Sequence, residues 1–198
     1  MSRHGRLPWF EPGALTAEQQ RLYDAIATGP RGRGVQAFPL TDGEGRLEGP
    51  FNALLVSPQV GTAVQELGAA IRYRTQLSGR AREIAILELA ATRRSEFEWY
   101  AHERIGRNAG LTDDELEALR TGREAPTLSA QEALVRRTVA RLARERDLDD
   151  EAFHEAEAGL GAGVLMEVVW LAGYYDAIAL SLRVWRTPLP EGIAPVFG

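Results

Sequence analysis

Glu98 and His102 lie four positions apart in a segment rich in helix-forming residues, which places their side chains on the same face of a predicted helix. A carboxylate beside an imidazole can fix the tautomer of the ring and raise its pKa, whereas burial pushes both groups toward neutrality. Such a pair can move one proton near neutral pH without a metal or a cofactor. Trp99 follows Glu98 directly and could supply an apolar wall for this face. The spacing therefore indicates general acid–base chemistry at His102.

Glu83 lies on the preceding predicted helix, a short turn away from the segment that carries His102. If the two helices form a hairpin, the carboxylate of Glu83 reaches the same space as the imidazole. A structural role is the alternative, because glutamate and histidine four residues apart commonly form an ordinary pair on a helix surface. Glu83 alone could equally be a carboxylate stabilised by the helix dipole.

The composition excludes several kinds of catalysis. The 198 residues include no cysteine, and all 23 basic residues are arginine, so that thiolate, Schiff-base and P-loop lysine chemistry are excluded. The three histidines are too few and too scattered to predict an imidazole metal site, and we expect neither a metal nor a cofactor. We expect His4 to lie in a mobile polar arm and His154 on a solvated acidic helix face.

The net charge of −5 disfavours nucleic acid and anionic membranes as partners. Residues 102–116 have the outline of a helix-turn-helix, but the second helix would begin with acidic residues that repel a DNA backbone. No apolar core of signal-peptide length occurs near the start, so we expect a cytoplasmic protein. The apolar stretch 160–182 contains Glu167 and Asp176, which indicates a helix buried in the core or between subunits rather than a membrane span. Because an unpaired buried charge is costly, we expect arginines of a neighbouring subunit to pair with these two acids.

Helix signals recur along the whole chain and strand signals are weak, which predicts an all-α fold in a single domain over residues 1–198. Capping boxes begin at Thr16, Thr112 and Ser129, and Ser57 and Ser78 are further predicted caps. We divide the domain into an N-terminal helix with a Gly/Pro-rich arm (1–50), motif-bearing helices (51–122) and C-terminal helices (129–187). The connection 29–50 is long enough to be a functional loop or an inter-subunit arm.

Glu83, Ser95, Glu98 and His102 follow the pattern E-x11-S-x-x-E-x-x-x-H. This resembles the alkylhydroperoxidase-like (AhpD-like), carboxymuconolactone decarboxylase family, whose peroxidase branch has E-x11-C-x-x-C-x-x-x-H. The likeness is strongest over about residues 50–122 and includes the flanking REIAIL and HERIGRNAGLTDDEL segments. It implies an AhpD-like helical bundle, assembled as a trimer, dimer or hexamer, with the motif lining a pocket.

Both cysteines of the peroxidase pattern are replaced, by Ser95 and Glu98, so reduction of hydroperoxides by the thiol route is excluded. What remains resembles the lactone decarboxylases. The resemblance implies cofactor-free loss of carbon dioxide from a small cyclic carboxylate or lactone, followed by protonation of the carbanion or enolate. We expect His102, positioned by Glu98 or Glu83, to deliver that proton.

Four residues are expected to contact the substrate: Ser95, Trp99, Trp170 and Tyr174. Four arginines are candidates for holding its carboxylate: Arg72, Arg74, Arg80 and Arg82. The alternative function is that of a non-catalytic ligand-binding or scaffolding member of the same helical family. A concave, mostly apolar cavity at Glu83, Glu98 and His102 would favour the enzyme, and exposure of these residues would favour the alternative.

Overall fold

The computed structural model describes residues 2–33 and 38–198 of the chain. Within these residues nine helices account for most of the structure, as the sequence predicted. They are α1 (Ala17–Ala27), α2 (Pro50–Leu54), α3 (Pro58–Tyr73), α4 (Gly79–Arg93), α5 (Glu96–Asn108), α6 (Asp113–Thr121), α7 (Ala130–Glu145), α8 (Asp150–Leu160) and α9 (Ala162–Trp185). A short hairpin of β1 (Arg3–His4) and β2 (Leu7–Pro8) precedes them.

The helix starts follow local side-chain chemistry. Thr16, Thr112 and Ser129 each form a complete capping box, in which the cap hydroxyl and the side chain three residues later satisfy two backbone N–H groups. Ser78 caps α4 through the backbone N–H of Ala81. Ser57 is the cap residue of α3 and Pro58 begins the helix, as predicted, but the hydroxyl of Ser57 makes no capping hydrogen bond.

Helix α4 is the centre of the fold and packs against α5, α7 and α9. Its side chains are buried almost all the way around, and Ile86 and Leu89 share a core with Val135, Val139 and Leu171 of α7 and α9. Burying one aliphatic side chain of this size stabilises a fold by about 1.5–3 kcal/mol. A polar group on α4 is therefore held in a rigid and largely dry environment.

The N-terminal region is more ordered than its composition predicts. His4 is buried at 2% exposure, and its ring lies 5.0 Å from that of Trp9, so the prediction of a mobile His4 is wrong. In the predicted arm, the part that the structure describes includes Leu47, which packs on Leu22 and Phe51. Residues 34–37 of that arm lie outside the described residues.

Helix α9 is the one described helix that is long and apolar enough to cross a membrane, although core helices of soluble proteins pass the same test. Its two acidic residues have partners within the chain. Asp176 pairs with Arg93 and Arg146, and Glu167 accepts the backbone N–H of Gln76 at 2.9 Å. Asp176 is therefore neutralised by arginines of its own chain rather than of a neighbouring subunit, whereas for Glu167 the pairing across subunits stays a prediction.

Candidate active site

A buried carboxylate–imidazole pair joins α4 to α5. The turn between these helices brings Glu83 of α4 beside His102 of α5, with 2.7 Å between the Oε2 atom of Glu83 and the Nδ1 atom of His102. Glu83 is completely buried, and its second oxygen lies 3.5 Å from Nε of Arg82. The proposed hairpin is thus present, and it brings together two residues that are 19 positions apart in the sequence.

The protonation states of this pair follow from its surroundings. Burial lowers the pKa of His102, and the negative charge of Glu83 opposes only part of that effect. Burial alone would raise the pKa of Glu83, but the hydrogen bond with His102 and the positive charges of Arg72 and Arg82 lower it overall. We therefore assign an ionised Glu83 that accepts the Nδ1–H of a neutral His102. The Nε2 atom is then left as a base.

Glu98 is a second buried acid, and it is separate from this pair. Its side chain is 3% exposed, and neither of its carboxyl oxygens has a hydrogen-bond partner among the described residues. Burial raises the pKa of Glu98 to about 8 against the opposing effect of the nearby Ser95 hydroxyl, and the negative charge of Asp176 adds to the rise. Glu98 is therefore protonated at neutral pH. The expected pairing of Glu98 with His102 is not found, since the imidazole is held by Glu83.

His102 and Glu98 both line a cavity of about 280 Å³. Apolar and aromatic side chains make up much of its wall, including Phe38, Phe97 and Ile178. This volume lies just below the range typical of small-molecule sites, which are mostly apolar with a few polar groups at fixed positions. Two of the three residues named in the criterion, Glu98 and His102, thus line the cavity, whereas Glu83 contacts His102 and is not part of the wall.

Two tyrosines of α9 face the same cavity. The ring of Tyr175 is perpendicular to that of His102, with 5.1 Å between the centroids. Burial raises the pKa of Tyr175, so its phenol stays neutral and can donate a hydrogen bond. Tyr174 lies against Gly68 of α3, where a β-carbon would come within 2.2 Å of the tyrosine oxygen. A glycine at position 68 is therefore needed for Tyr174 to reach the cavity.

Three arginines line the cavity: Arg31, Arg33 and Arg72. Arg31 donates from Nε to the side-chain oxygen of Gln65 at 3.0 Å. In the described part of the chain, neither Arg31 nor Arg72 forms an ion pair with a carboxylate, so their charges can hold an anionic ligand.

The candidate carboxylate anchors have different positions. Arg72 alone among them lines the cavity. Arg82 lies against Glu83, and Arg80 is occupied by Glu115 and Glu132. Arg74, Arg80 and Arg82 all lie outside this cavity, which leaves Arg72 as the one candidate placed to hold a carboxylate there.

Three of the four expected substrate contacts also lie elsewhere. Trp99 is buried in a separate apolar cluster and stacks edge-on against Phe197. Ser95 lines a different cavity, and Trp170 is 56% exposed on the outer face of α9. The structure does not bring these three side chains to the cavity of His102, and Tyr174 alone of the four lines it.

No cluster of three or more histidine and acidic side chains suited to a metal ion occurs within residues 2–33 and 38–198. His154 is exposed, as expected, and its Nδ1 atom lies 2.5 Å from the backbone oxygen of Asp150. Within the described residues, the polar groups that line the cavity are therefore one carboxyl, one amide, one imidazole, phenols and guanidinium groups.

Solved structures share this fold. The chain aligns with an uncharacterised peroxidase-related protein from Ralstonia eutropha that has an alkylhydroperoxidase AhpD core. The TM-score is 0.76 and the sequences are 12% identical, and the alignment covers 96% of this chain and 95% of that one. A protein of unknown function from Agrobacterium tumefaciens, related by name to the antioxidant defence protein AhpD, aligns with a TM-score of 0.64, 19% identity, and coverage of 70% and 96%. At these identities the likeness shows the fold alone.

No curated protein matches the sequence. Residues 58–141, which run from the start of α3 into α7 and include Glu83, Glu98 and His102, match the carboxymuconolactone decarboxylase family. This match and the AhpD-like fold agree with the motif read from the sequence, in a form that has no cysteine. The segment 58–141 is therefore similar to the carboxymuconolactone decarboxylase family, and the chain shares the helical fold of AhpD-like proteins.

Proposed function

We propose that this protein is a cofactor-independent acid–base enzyme that decarboxylates, or shifts a proton within, a small cyclic carboxylate or lactone. One observation supports this most directly. A neutral His102, held by Glu83, and a protonated Glu98 face the same cavity. Two titratable groups whose environments push their pKa values in opposite directions form a matched base and acid.

The arginines of the cavity support an anionic substrate. A carboxylate held between Arg31 and Arg72 would form charge-assisted hydrogen bonds, which are about twice as strong as neutral ones. The aromatic wall suits the flat face of a ring. We therefore propose a cyclic carboxylate in which a carboxylate that the reaction retains meets the arginines, while the group that is lost as carbon dioxide lies away from them.

The proton chemistry divides between the two groups. In decarboxylation, the bond from the ring carbon to the carboxylate breaks, and its electron pair enters the conjugated ring as an enolate. The neutral phenol of Tyr175 can donate a hydrogen bond to the enolate oxygen. Glu98 then transfers its proton to carbon, and solvent restores that proton. In a proton shift, Nε2 of His102 first removes a proton from another carbon.

This assignment differs from the sequence-based expectation about which group delivers the proton. His102 was expected to be the donor, but burial lowers its pKa, whereas burial raises that of Glu98 to about 8. We therefore propose Glu98 as the donor and His102 as the base.

Deuterium incorporation tests the proposal even when the product has not been identified. The protein is incubated in D2O with carboxymuconolactone and a panel of cyclic carboxylates, and carbon-bound deuterium and released carbon dioxide are measured. Glu98→Gln and His102→Gln should abolish incorporation, whereas Glu103→Gln, on the same helix and paired with Arg107, should retain it. Binding of panel members without deuterium or carbon dioxide release would support the non-catalytic alternative instead.

We also propose that the chain forms a homo-oligomer through the outer face of α9. Met166, Val169 and Trp170 are between 42% and 58% exposed, and they lie together on this helix. Large apolar side chains grouped on a surface are typical of contacts between subunits. A second copy of the chain would cover them.

A further inference from the structure

A second cavity, of about 430 Å³, lies where the ends of α4, α7 and α9 meet the start of α5. Among the described residues, its lining includes the side chains of five arginines and two acids. The arginines are Arg93, Arg94, Arg146, Arg183 and Arg186, and the acids are Glu96 and Asp176. The lining thus carries three more positive than negative charges, although the protein as a whole is acidic.

Three of these arginines have an unfavourable backbone conformation. Arg94, Arg146 and Arg186 have φ angles of 51°, 65° and 50°, and within the described residues they are the only non-glycine residues with positive φ. Each is the cap residue at the end of a helix, where glycine is common because it has no β-carbon to crowd the backbone. All three line the same cavity. A glycine at any of these three positions would relieve the backbone strain. Because the strain recurs at three positions around one cavity, we infer that the arginine side chains are needed there.

The acids of the cavity are already occupied. Asp176 is shared by Arg93 and Arg146, and Glu96 accepts the backbone N–H groups of Val196 and Phe197 at 2.7 and 2.9 Å. Neither carboxylate is therefore available to neutralise the remaining guanidinium groups.

Two arginines remain available to a ligand. Arg183 donates one N–H to the backbone oxygen of Arg93 at 2.9 Å and has further donors. The guanidinium group of Arg186 has no hydrogen-bond or ion-pair partner in the described part of the chain. Both guanidinium groups present planar forks that match oxyanions.

The start of α5 adds a further donor. Ser95 is the cap residue of α5 and lines the cavity, yet its hydroxyl makes no capping hydrogen bond. The N–H groups in the first turn of a helix have no partner within the helix, and they favour an anion. This observation is independent of the arginines and points to the same class of ligand.

We propose that this second cavity is a binding site for a small oxyanion with two or more negative charges, a phosphate ester or a polycarboxylate. Arg183, Arg186 and Ser95 would contact the ligand, while the pairing of Asp176 with Arg93 and Arg146 holds the wall in place. The site is distinct from the cavity of His102, and it does not depend on the proposed reaction.

The test uses pyrophosphate and citrate as probes, with binding measured by calorimetry and thermal unfolding at constant ionic strength. Wild-type protein should bind at least one probe, and the tighter of the two identifies the ligand chemistry. Arg186→Gly should leave the unfolding temperature unchanged or raise it, because glycine relieves the strain, and should weaken binding about tenfold or more. Arg183→Gln gives a second measurement that does not alter a strained residue.

Two control variants separate this site from nonspecific charge effects and from the first cavity. Arg21→Gln removes one exposed arginine that lines neither cavity, and Arg31→Gln removes an arginine of the first cavity. Both should bind the probe as the wild type does. The proposal is overturned if the wild type binds neither probe, if Arg186→Gly and Arg183→Gln bind normally, or if Arg31→Gln is the variant that loses binding.

Discussion

Replacing Glu98 by glutamine should stabilise the protein relative to the wild type by an amount that grows with pH. Burial raises the pKa of Glu98 from 4.5 to about 8 in the folded chain. Below pH 4.5 both the folded and the unfolded chain hold the proton, and the carboxyl has no pH-dependent effect. Between pH 4.5 and 8 the unfolded chain releases its proton while the folded chain keeps it, so the wild type loses stability as the pH rises.

The size of the effect follows from the two pKa values. They differ by 8 − 4.5, or about 3.5 units, which corresponds to about 5 kcal/mol once the pH exceeds both values. Between about pH 5 and pH 7 the wild type should lose about 2 to 3 kcal/mol through this one group. Glutamine does not titrate, so the difference in unfolding free energy between Glu98→Gln and the wild type should widen by that amount.

Urea unfolding at pH 5 and pH 7, followed by circular dichroism at constant ionic strength, measures this difference. Glu103→Gln is the matched control, because it removes a partly exposed carboxylate from the same helix. A difference for Glu98→Gln that is equal at the two pH values would show that Glu98 is ionised in the folded protein. Glu98 could then not be the proton donor, and the reasoning would be refuted.

Three further predictions concern the cavity of His102 and the outer face of α9. His102→Ala should fold and lose turnover by about 10²–10⁴-fold, whereas His154→Ala should keep the wild-type turnover. Steady-state kinetics with the active panel substrate measure both variants, and an equal loss in the two would contradict the special role of His102. Arg31→Gln should raise KM far more than it lowers kcat, and Arg21→Gln should change neither, because the lost contact is made equally in the ground and transition states. Trp170→Arg should reduce the oligomer to smaller species in analytical ultracentrifugation, and an unchanged sedimentation coefficient would contradict the proposed interface.

The parts of the site that follow local rules could be predicted from the sequence. The hydroxyl and acid pairs at Thr112 and Ser129 specify helix starts, because their capping interactions involve residues only three apart. The approach of Glu83 to His102 was also predictable, since a short turn between two helices leaves few alternatives to a hairpin.

The directions of the aromatic side chains were not predictable from spacing alone. Trp170 and Tyr174 are four apart on α9, but Trp170 points outward while Tyr174 and its neighbour Tyr175 face the cavity. Which side of an all-round apolar helix faces a ligand depends on the helices packed against it. In the same way, Arg31 reaches the cavity from a segment far away in the sequence, and no local pattern marks that contact.

The two positions at which this chain departs from the peroxidase pattern have separate physical consequences. Ser95 and Glu98 are three residues apart, yet Ser95 lines the arginine-rich cavity and Glu98 lines the cavity of His102. A carboxyl at position 98 places an acid with a raised pKa in a site that retains the imidazole and its carboxylate partner. A serine at position 95 leaves a hydrogen-bond donor beside a surplus of guanidinium groups. In the two proposals, one segment of α5 therefore serves acid–base chemistry on one side and anion recognition on the other. Because the hydroxyl of Ser95 also acts on the carboxyl of Glu98, the effects of substitutions at the two positions should be coupled.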